Sequence, residues 1–389
     1  MNVTQQGIIV LLRSAVTGEK FPLPEGFDIE EAYALIKRHH MITLAYDGAV
    51  RCGLPKQHPV MRKLFSGYCR AMQISEGQMR EVGRVCDAFE EKGIDYMLLK
   101  GSKMKALYPN PELRIMGDAD ILIRMEQYGE IVRIMESLNF SAQKGADHEL
   151  VWKNDSLYLE LHKQLVPSCD KDLYAYFGDG WRFAREKTGM RHCMTEEDEF
   201  IFLVAHFAKH YRDGGIGCRH VVDLWVYLRS NPDLDEKYIR GELEKLGLLT
   251  FYENVRRLIA VWFDAAQTDG KVEFISEFIF ASGSWGLDET AVLSRAVRDC
   301  AGSSAGSGGK LAYIRRTLFP NLTVMRCQYP VLRKVRWLLP FAWVVRWIEK
   351  LFQGRKMLRR QRKRMQVVSA ENVKTRQQAL EYVGLGYNF

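Results

Sequence analysis

The sequence predicts an α+β fold in which a few short strands lie between two helical regions. Before residue 93, apolar residues recur every three or four positions, as on the buried face of a helix. Between 93 and 163, short runs such as Leu157–His162 alternate apolar and polar residues, as half-buried strands do. Helical spacing returns from Thr195. At 389 residues with 47% hydrophobic and 27% charged side chains, the chain can form two or three globular domains.

Residues 1–92 are predicted to form an N-terminal helical region. Ser75 is expected to cap its last helix and Gly93 to end it. The paired His39 and His40 are expected to flank a helix end rather than to bind metal. The predicted helices are Ile29–Met41, Pro59–Met72 and Ser75–Lys92.

Residues 93–190 are predicted to form the strand-containing core. Gly101-Ser102 is predicted to form a tight turn between a strand and a helix. Asn154-Asp155 is predicted to form the turn of a hairpin. The predicted strands are Asp95–Lys100, Asp118–Ile123, Glu149–Lys153 and Ser156–His162, and the predicted helices are Lys103–Tyr108 and Glu126–Leu138.

Residues 191–300 are predicted to form a C-terminal helical domain, and residues 301–389 a linker, an amphipathic segment and a tail. Residues 302–309 are almost all Gly and Ser, which is typical of a flexible linker. The helices predicted before it are Glu199–Tyr211, His220–Leu228, Asp235–Leu246, Phe251–Phe263 and Val272–Ala281.

Three carboxylates are the candidate catalytic and metal-binding residues. Asp118 and Asp120 occupy positions i and i+2 of a strand and therefore point to one side, while Glu160 points outward from a later strand. If the two strands are neighbours, the three acids share one exposed face, and their mutual repulsion favours Mg²⁺ or Mn²⁺. The alternative is that all three are ordinary surface residues. The residues expected to face the core are Ala119, Ile121, Ile123, Leu157, Leu159 and Leu161.

The Gly101-Ser102 turn is the candidate phosphate-binding element. A glycine at a strand-to-helix turn lets the backbone approach phosphate, and the new helix offers free N–H groups. The Ser102 hydroxyl can add a donor. Lys100, Lys103 or Arg114 could supply positive charge.

The Gly101-Ser102 turn, the paired acids and the later Glu160, in this order, resemble the nucleotidyltransferase superfamily with the DNA polymerase beta-like fold. More closely, they resemble the bacterial uncharacterised nucleotidyltransferase family. The resemblance spans most of residues 25–350 and has one departure, Ala119, where a larger aliphatic residue is more usual. It implies a small mixed β-sheet flanked by N-terminal and C-terminal helical regions. The matching phrases are Leu99-Lys-Gly101, Leu107-Tyr-Pro109, Arg114 and Asp118-Ala-Asp120.

The same resemblance implies a Mg²⁺-dependent transfer of a nucleoside monophosphate from an NTP to an acceptor, with release of pyrophosphate. Asp118, Asp120 and Glu160 would bind the metal. The nucleotide would be bound by Gly101, Ser102, Lys103 and Arg114. The acceptor stays open, and the alternative function is a non-catalytic interaction protein that retains the fold.

Three histidines have less specific patterns. His162 follows Glu160 at i+2 and is expected to orient or pack rather than to bind metal. His206 and His210 have the i, i+4 spacing of zinc ligands, but Phe207 stands where a metalloprotease needs Glu. They could instead form a helical wall facing the nucleotide or pack in the core.

The segment 329–364 combines Trp and Leu with basic residues. Arg355–Arg364 alone carries seven basic residues and no acid. The segment could bind an anionic membrane surface, contact nucleic acid, or pack its apolar face on the helical domain. The tryptophans lie upstream of the basic run, which argues against interleaved stacking on nucleic-acid bases.

Bulk properties favour a cytoplasmic protein, with peripheral membrane association as the alternative. A net charge of +8 suits an anionic partner without choosing one. The eight cysteines include no CxxC pair, which favours reduced thiols over a disulfide framework or a zinc site. The sequence has no signal-peptide pattern and no apolar run of the roughly 18–20 residues that a spanning helix needs.

Overall fold

The computed structural model describes residues 1–145, 148–168, 170–284, 286–301, 315, 318–329, 331–352 and 367–387. The predicted linker at 302–309 and the basic run Arg355–Arg364 lie outside this part of the chain. The chain divides into two compact units. The first contains Met1–Ala208 and Ile216–Trp285, and the second contains Lys209–Gly215 and Gly286–Phe389. The predicted α+β class is confirmed.

The first unit begins with helices that the local sequence caps. Asn2 forms a capping box with Gln5, and Asp28 caps the second helix. The prediction of two helices split at Ser75 was wrong, because one helix runs through 33 residues. Ser75 lies on its buried face, and the helix continues through Gly77 without a break. The helices are α1 (Val3–Thr17), α2 (Ile29–Arg38), α3 (Ile42–Arg51) and α4 (Pro59–Glu91).

His39 ends α2 and connects it to two later helices. Its Nε2 lies 3.2 Å from the Phe280 carbonyl oxygen, and its Nδ1 accepts from the Cys218 N–H at 3.3 Å. Burial lowers the pKa of His39 to about 4, so the ring is neutral at pH 7. The prediction that this histidine flanks a helix end is confirmed.

The strands of the described residues form one seven-stranded mixed sheet in the order β3-β4-β5-β2-β1-β7-β6. The pairs β2–β5 and β1–β7 are parallel, and the other neighbours are antiparallel. The hairpin around Asn154-Asp155 is confirmed, while β3, β6 and β7 were missed because three or four residues carry little periodic signal. The strands are β1 (Tyr96–Leu99), β2 (Ala119–Ile123), β3 (Ser141–Gln143), β4 (Glu149–Lys153), β5 (Tyr158–His162), β6 (Arg185–Thr188) and β7 (Arg191–Cys193).

One face of this sheet packs against α4 and α6 (Tyr128–Ser137). Because side chains alternate along a strand, the polar residues Asp120 and Glu160 project from the opposite face. The predicted inward positions are confirmed. The shared core cluster contains Ala119, Ile121, Ile123, Leu157, Leu159 and Leu161 from the sheet region, with Val82, Val85, Phe89, Ile131, Ile134 and Met135 from the two helices.

Helix α5 (Lys100–Met104) follows β1 directly and continues as a 3₁₀ turn to Leu107. It begins three residues before the predicted start at Lys103. The chain turns from β1 into α5 at Lys100. The φ of Lys100 is 43°, in the left-handed region that non-glycine residues seldom adopt. Gly101 and Ser102 therefore lie inside the first helical turn.

The remaining helices of the first unit surround a core rich in buried aromatic residues, including Phe200, Phe251 and Trp262. The helices predicted in this region are confirmed with boundaries shifted by a few residues. The Thr195 hydroxyl accepts from the Asp198 N–H at 3.1 Å, as its capping pattern predicts. The helices are α7 (Lys171–Phe177), α8 (Glu196–Asp213), α9 (Cys218–Ser230), α10 (Glu236–Lys245), α11 (Leu249–Phe263) and α12 (Gly270–Ser282). The last residues of α8, from Lys209, belong to the second unit.

The described residues of the second unit form two small apolar clusters. One joins Val292 and Val297 to Val373, and the other joins Met325 to Leu332. No helix among the described residues is long and apolar enough to cross a membrane. The helices of this unit are α13 (Asp288–Ala301), α14 (Leu322–Gln328), α15 (Val331–Lys334), α16 (Leu339–Phe352) and α17 (Ala370–Tyr382).

Candidate metal and nucleotide site

The strands β2 and β5 bring two of the three candidate carboxylates together. In this parallel pair Asp120 lies opposite Glu160, and Leu122 lies opposite His162. Residues in register on adjacent strands project to the same face. Asp120, Glu160 and His162 therefore share the face that α4 and α6 leave uncovered.

Asp120 is held from two sides. Its Oδ1 accepts from Lys100 Nζ at 2.8 Å and lies 2.8 Å from His162 Nε2. The sequence-based expectation of a fully exposed acidic face was wrong for this residue, since Asp120 is only 5% exposed. The alternation of a strand gives the face on which a residue lies, but it does not show that Lys100 and His162 cover that residue.

These neighbours set the ionisation of Asp120. Burial alone would raise its pKa, but the Lys100 ammonium and the His162 hydrogen bond together lower the pKa of Asp120. Burial and Lys100 oppose protonation of His162, yet its hydrogen bonds to Asp120 and Glu160 raise the pKa of the imidazole. Asp120 is therefore an ionised carboxylate at neutral pH.

The donor set fits a divalent cation. Asp120, Glu160 and His162 each offer a ligand atom, and these atoms lie within 4.8 Å of one another. Glu160 Oε2 lies 3.6 Å from His162 Nε2. Two carboxylates select hard ions such as Mg²⁺ or Mn²⁺, and an imidazole is compatible with Mn²⁺. A second group of the same kind consists of His148, Glu149 and His162.

Asp118 lies just before β2 and outside these compact groups. Burial together with the negative charges of Asp120 and Glu160 raises the pKa of Asp118 to about 6. The three carboxylates therefore repel one another. A bound cation would relieve this repulsion, which is a second reason that the residues fit a metal.

The predicted phosphate-binding residues lie beside the acids but are closely packed. A Cβ on Gly101 would lie 3.0 Å from Arg114 Nη1 and 3.2 Å from Met116 Cγ, so a side chain at this position would require those neighbours to shift. Ser102 is buried, with its Oγ 3.9 Å from Met116 Sδ. Lys103 forms an ion pair with Glu199 of α8.

Arg114 forms a buried bidentate ion pair with Asp223 of α9. The two hydrogen bonds are 2.8 and 2.9 Å long, and the Tyr108 hydroxyl donates to the same carboxylate at 2.7 Å. The role of Asp223 was undecided from the sequence, because nothing near it in the chain indicates the partner. This ion pair fixes α9 against the segment that leads to Asp118.

Arg219, one turn before Asp223, is a basic residue that sequence reasoning missed. Its Nη1 donates to the Ile115 carbonyl at 3.0 Å, and its buried Nε has no hydrogen-bond partner among the described residues. No carboxylate in the described ranges lies within ion-pair distance of it. Its charge acts to lower the pKa of Asp118, against the larger effects that raise it. No local pattern could have identified it, since only the packing of α9 places it near the acids.

His206 and His210 both lie on α8. The His206 ring packs against Phe202 and stacks on His220, with centroids 6.2 and 6.0 Å apart. Neither His206 nor His210 belongs to the candidate metal-binding groups found in the described part of the chain.

A family model described as an uncharacterised nucleotidyltransferase matches residues 25–264, which is more than half of the chain. The chain belongs to this uncharacterised nucleotidyltransferase family. The resemblance noted from the sequence motifs is thus confirmed. The matched range contains the sheet, the acidic residues and α9 of this family member. No curated protein and no solved structure matched the chain.

The buried ion pair predicts a large cost for removing one partner. We expect Asp223→Ala to lower the free energy of unfolding by roughly 3–5 kcal/mol, because it leaves the Arg114 guanidinium buried and unpaired. Urea denaturation at pH 7 measures the change. Glu130→Ala, which removes the exposed partner of Arg133, is the control and should cost no more than about 1 kcal/mol. Equal losses in the two variants would contradict the structural role of Asp223.

Proposed function

We propose that this chain is a nucleotidyltransferase that requires Mg²⁺ or Mn²⁺ and transfers a nucleoside monophosphate from an NTP to a hydroxyl acceptor. The observation that carries the proposal is the placement of Asp120 opposite Glu160, with ligand atoms close enough to share one ion. Asp118 and the start of α5 lie beside this pair. Membership of the nucleotidyltransferase family supports the reaction class.

In this proposal Asp118, Asp120 and Glu160 hold the divalent ion, and His162 positions Asp120 through its hydrogen bond. When bound, the ion neutralises charge that develops on the attacking and leaving oxygens. The acceptor oxygen bonds to the α-phosphorus as the bond to the β-phosphate oxygen breaks, and pyrophosphate leaves. Glu160 is more exposed than Asp120, so it is the carboxylate suited to accept the proton of the acceptor hydroxyl.

The nucleotide phosphates are proposed to lie at the first turn of α5, near Gly101 and Ser102. Lys103 and Arg114 are each paired with a carboxylate, so they add little net charge to this region. Among the described residues Arg219 has no carboxylate within ion-pair distance, and its charge acts on Asp118. Such a guanidinium suits a phosphate. We therefore add Arg219 to the nucleotide-binding residues predicted from the sequence.

The first test is metal-dependent nucleotide binding. We expect Asp118→Asn/Asp120→Asn to weaken binding of each NTP in the presence of Mg²⁺ by more than about 100-fold, because loss of even an outer-shell partner typically costs 10–100-fold. Equilibrium dialysis with the four radiolabelled NTPs measures this, and EDTA should have the same effect on the wild type.

Asp155→Asn is the matched control, since Asp155 is an exposed acid in the β4–β5 turn of the same sheet. It should leave NTP binding unchanged. Undiminished NTP binding by a folded double variant would rule out the proposed site.

A second proposal concerns the partner of the second unit. Trp337, Phe341 and Ile348 are 72%, 63% and 48% exposed, and with Val344 and Val345 they form one apolar stripe. The other face of α16 is packed, since Trp343 and Trp347 donate to the carbonyls of Pro320 and Leu318. The stripe is followed in sequence by Arg355–Arg364. An apolar face that is followed in sequence by basic residues suits an anionic membrane surface.

Liposome co-sedimentation tests this proposal. We expect Trp337→Ser/Phe341→Ser to weaken binding to phosphatidylserine-containing liposomes by at least about tenfold, because burying one such side chain contributes about 1.5–3 kcal/mol. Tyr382→Ser, at an exposed aromatic residue of α17, is the control and should bind like the wild type. Binding that survives in the double variant, or that is equal with neutral liposomes, would contradict the proposal.

A further inference from the structure

A groove of about 680 Å³ runs along one face of α4 in the first unit. Its volume lies in the range of small-molecule sites. The α4 residues that line it include a series at i, i+4 spacing, which places them on one side of the helix. At a rise of 1.5 Å per residue, residues 62 and 78 are about 24 Å apart along the helix axis. That series is Arg62, Ser66, Arg70, Ile74 and Gln78.

The inner end of the groove is formed by Gln78, Ile115 and Met116, at the segment that leads to Asp118. Gln78 Nε2 donates to the Met116 carbonyl at 3.1 Å, and Met116 lies two residues before Asp118. The Met116 side chain also lies close to Gly101 and Ser102. Met116 therefore lies between the groove and the proposed phosphate site.

The outer end of the groove is basic. Arg62, Lys63 and Arg70 line it, and all three are exposed. The lining residues include no Asp or Glu. Between this end and Gln78 the wall is apolar at Ala71 and Ile74. Arg70 lies eight residues, or about 12 Å along the helix, from Gln78. The groove lining thus changes from uncharged at Gln78, Ile115 and Met116 to cationic at its far end.

This change in the groove lining indicates where each of the two substrates, the NTP and the acceptor, would bind. The phosphates of an NTP are proposed to lie at the acids and the first turn of α5, which is the end remote from Arg62 and Arg70. The outer cations are therefore available to a different anion. A molecule that fits the whole groove has a reactive hydroxyl at the inner end, an apolar body and an anionic group at the outer end.

We propose that the groove binds the acceptor, and that the acceptor is a small molecule with a phosphate group remote from its reactive hydroxyl. This inference rests on the proposed nucleotidyl transfer. The acceptor hydroxyl bonds to the α-phosphorus and gives up its proton, and pyrophosphate is the leaving group. The remote phosphate is unchanged by the reaction and serves to bind and align the molecule.

The test uses phenyl phosphate as a probe that combines an apolar ring with a phosphate group. Isothermal titration calorimetry on the full chain measures its affinity, with phenol as the uncharged comparison. We expect Arg70→Glu to weaken phenyl phosphate binding by at least about tenfold, because a hydrogen bond to a charged group typically contributes 1.5–3 kcal/mol. Arg80→Glu makes the same charge change at an exposed position of α4 outside the groove and should change the affinity less than about twofold.

Binding of ATP with Mg²⁺ is measured on the same proteins. ATP binding that persists in Arg70→Glu, together with weakened phenyl phosphate binding, supports the acceptor groove. Equal affinity for phenyl phosphate in Arg70→Glu and Arg80→Glu, or equal affinity for phenol and phenyl phosphate, overturns it. Loss of ATP binding in Arg70→Glu also overturns it, because the groove would then hold the nucleotide.

A different result would refute the proposed nucleotidyl transfer independently of the acceptor groove. If the Asp118→Asn/Asp120→Asn variant binds ATP like the wild type, nucleotidyl transfer at these acids is refuted, whatever the phenyl phosphate result. Phenyl phosphate binding that depends on Arg70 would then show an anion site without an acceptor role.

Discussion

The Asp120 carboxylate lies buried in the sheet, and its Oδ1 is shared by Lys100 and His162 at 2.8 Å each. A buried unpaired carboxylate costs several kcal/mol, so these two partners are needed for the residue to stay ionised where it is. This requirement also constrains the backbone. Lys100 leaves β1 in the left-handed region, and His162 must follow Glu160 by two residues on the neighbouring parallel strand. The start of α5 and the register of β2 with β5 are thus linked to one carboxylate.

Some charged groups around Asp120 are paired with an opposite charge, and others are not. Arg114 and Asp223 neutralise each other in a buried ion pair, and Lys100 neutralises much of Asp120. Asp118 and Glu160 remain as negative groups that repel each other, while Arg219 remains as a guanidinium without an ion-pair partner among the described residues. A divalent cation complements the first set and a phosphate complements the second. A metal-bound nucleotide supplies both.

The parts of this arrangement that depend on short stretches of sequence could be predicted. Alternation along β2 and β5 gave the buried face, and Asn154-Asp155 gave the hairpin. The continuity of α4 was missed because Ser75 can cap a helix as well as pack inside one. Asp223 and Arg219 could not be assigned, since their neighbours lie far away in the chain and only the packing of α9 brings them to the acids.

The most direct test of the metal site is a crystal structure of the protein grown with Mn²⁺ and a non-hydrolysable NTP analogue, with anomalous data collected for manganese. The account predicts an anomalous peak within bonding distance of the Asp120 and Glu160 carboxylates and of a phosphate oxygen of the analogue. It predicts the triphosphate beside Gly101 and Ser102. A nucleotide bound elsewhere in the chain, or bound beside these carboxylates without a manganese peak, would contradict it.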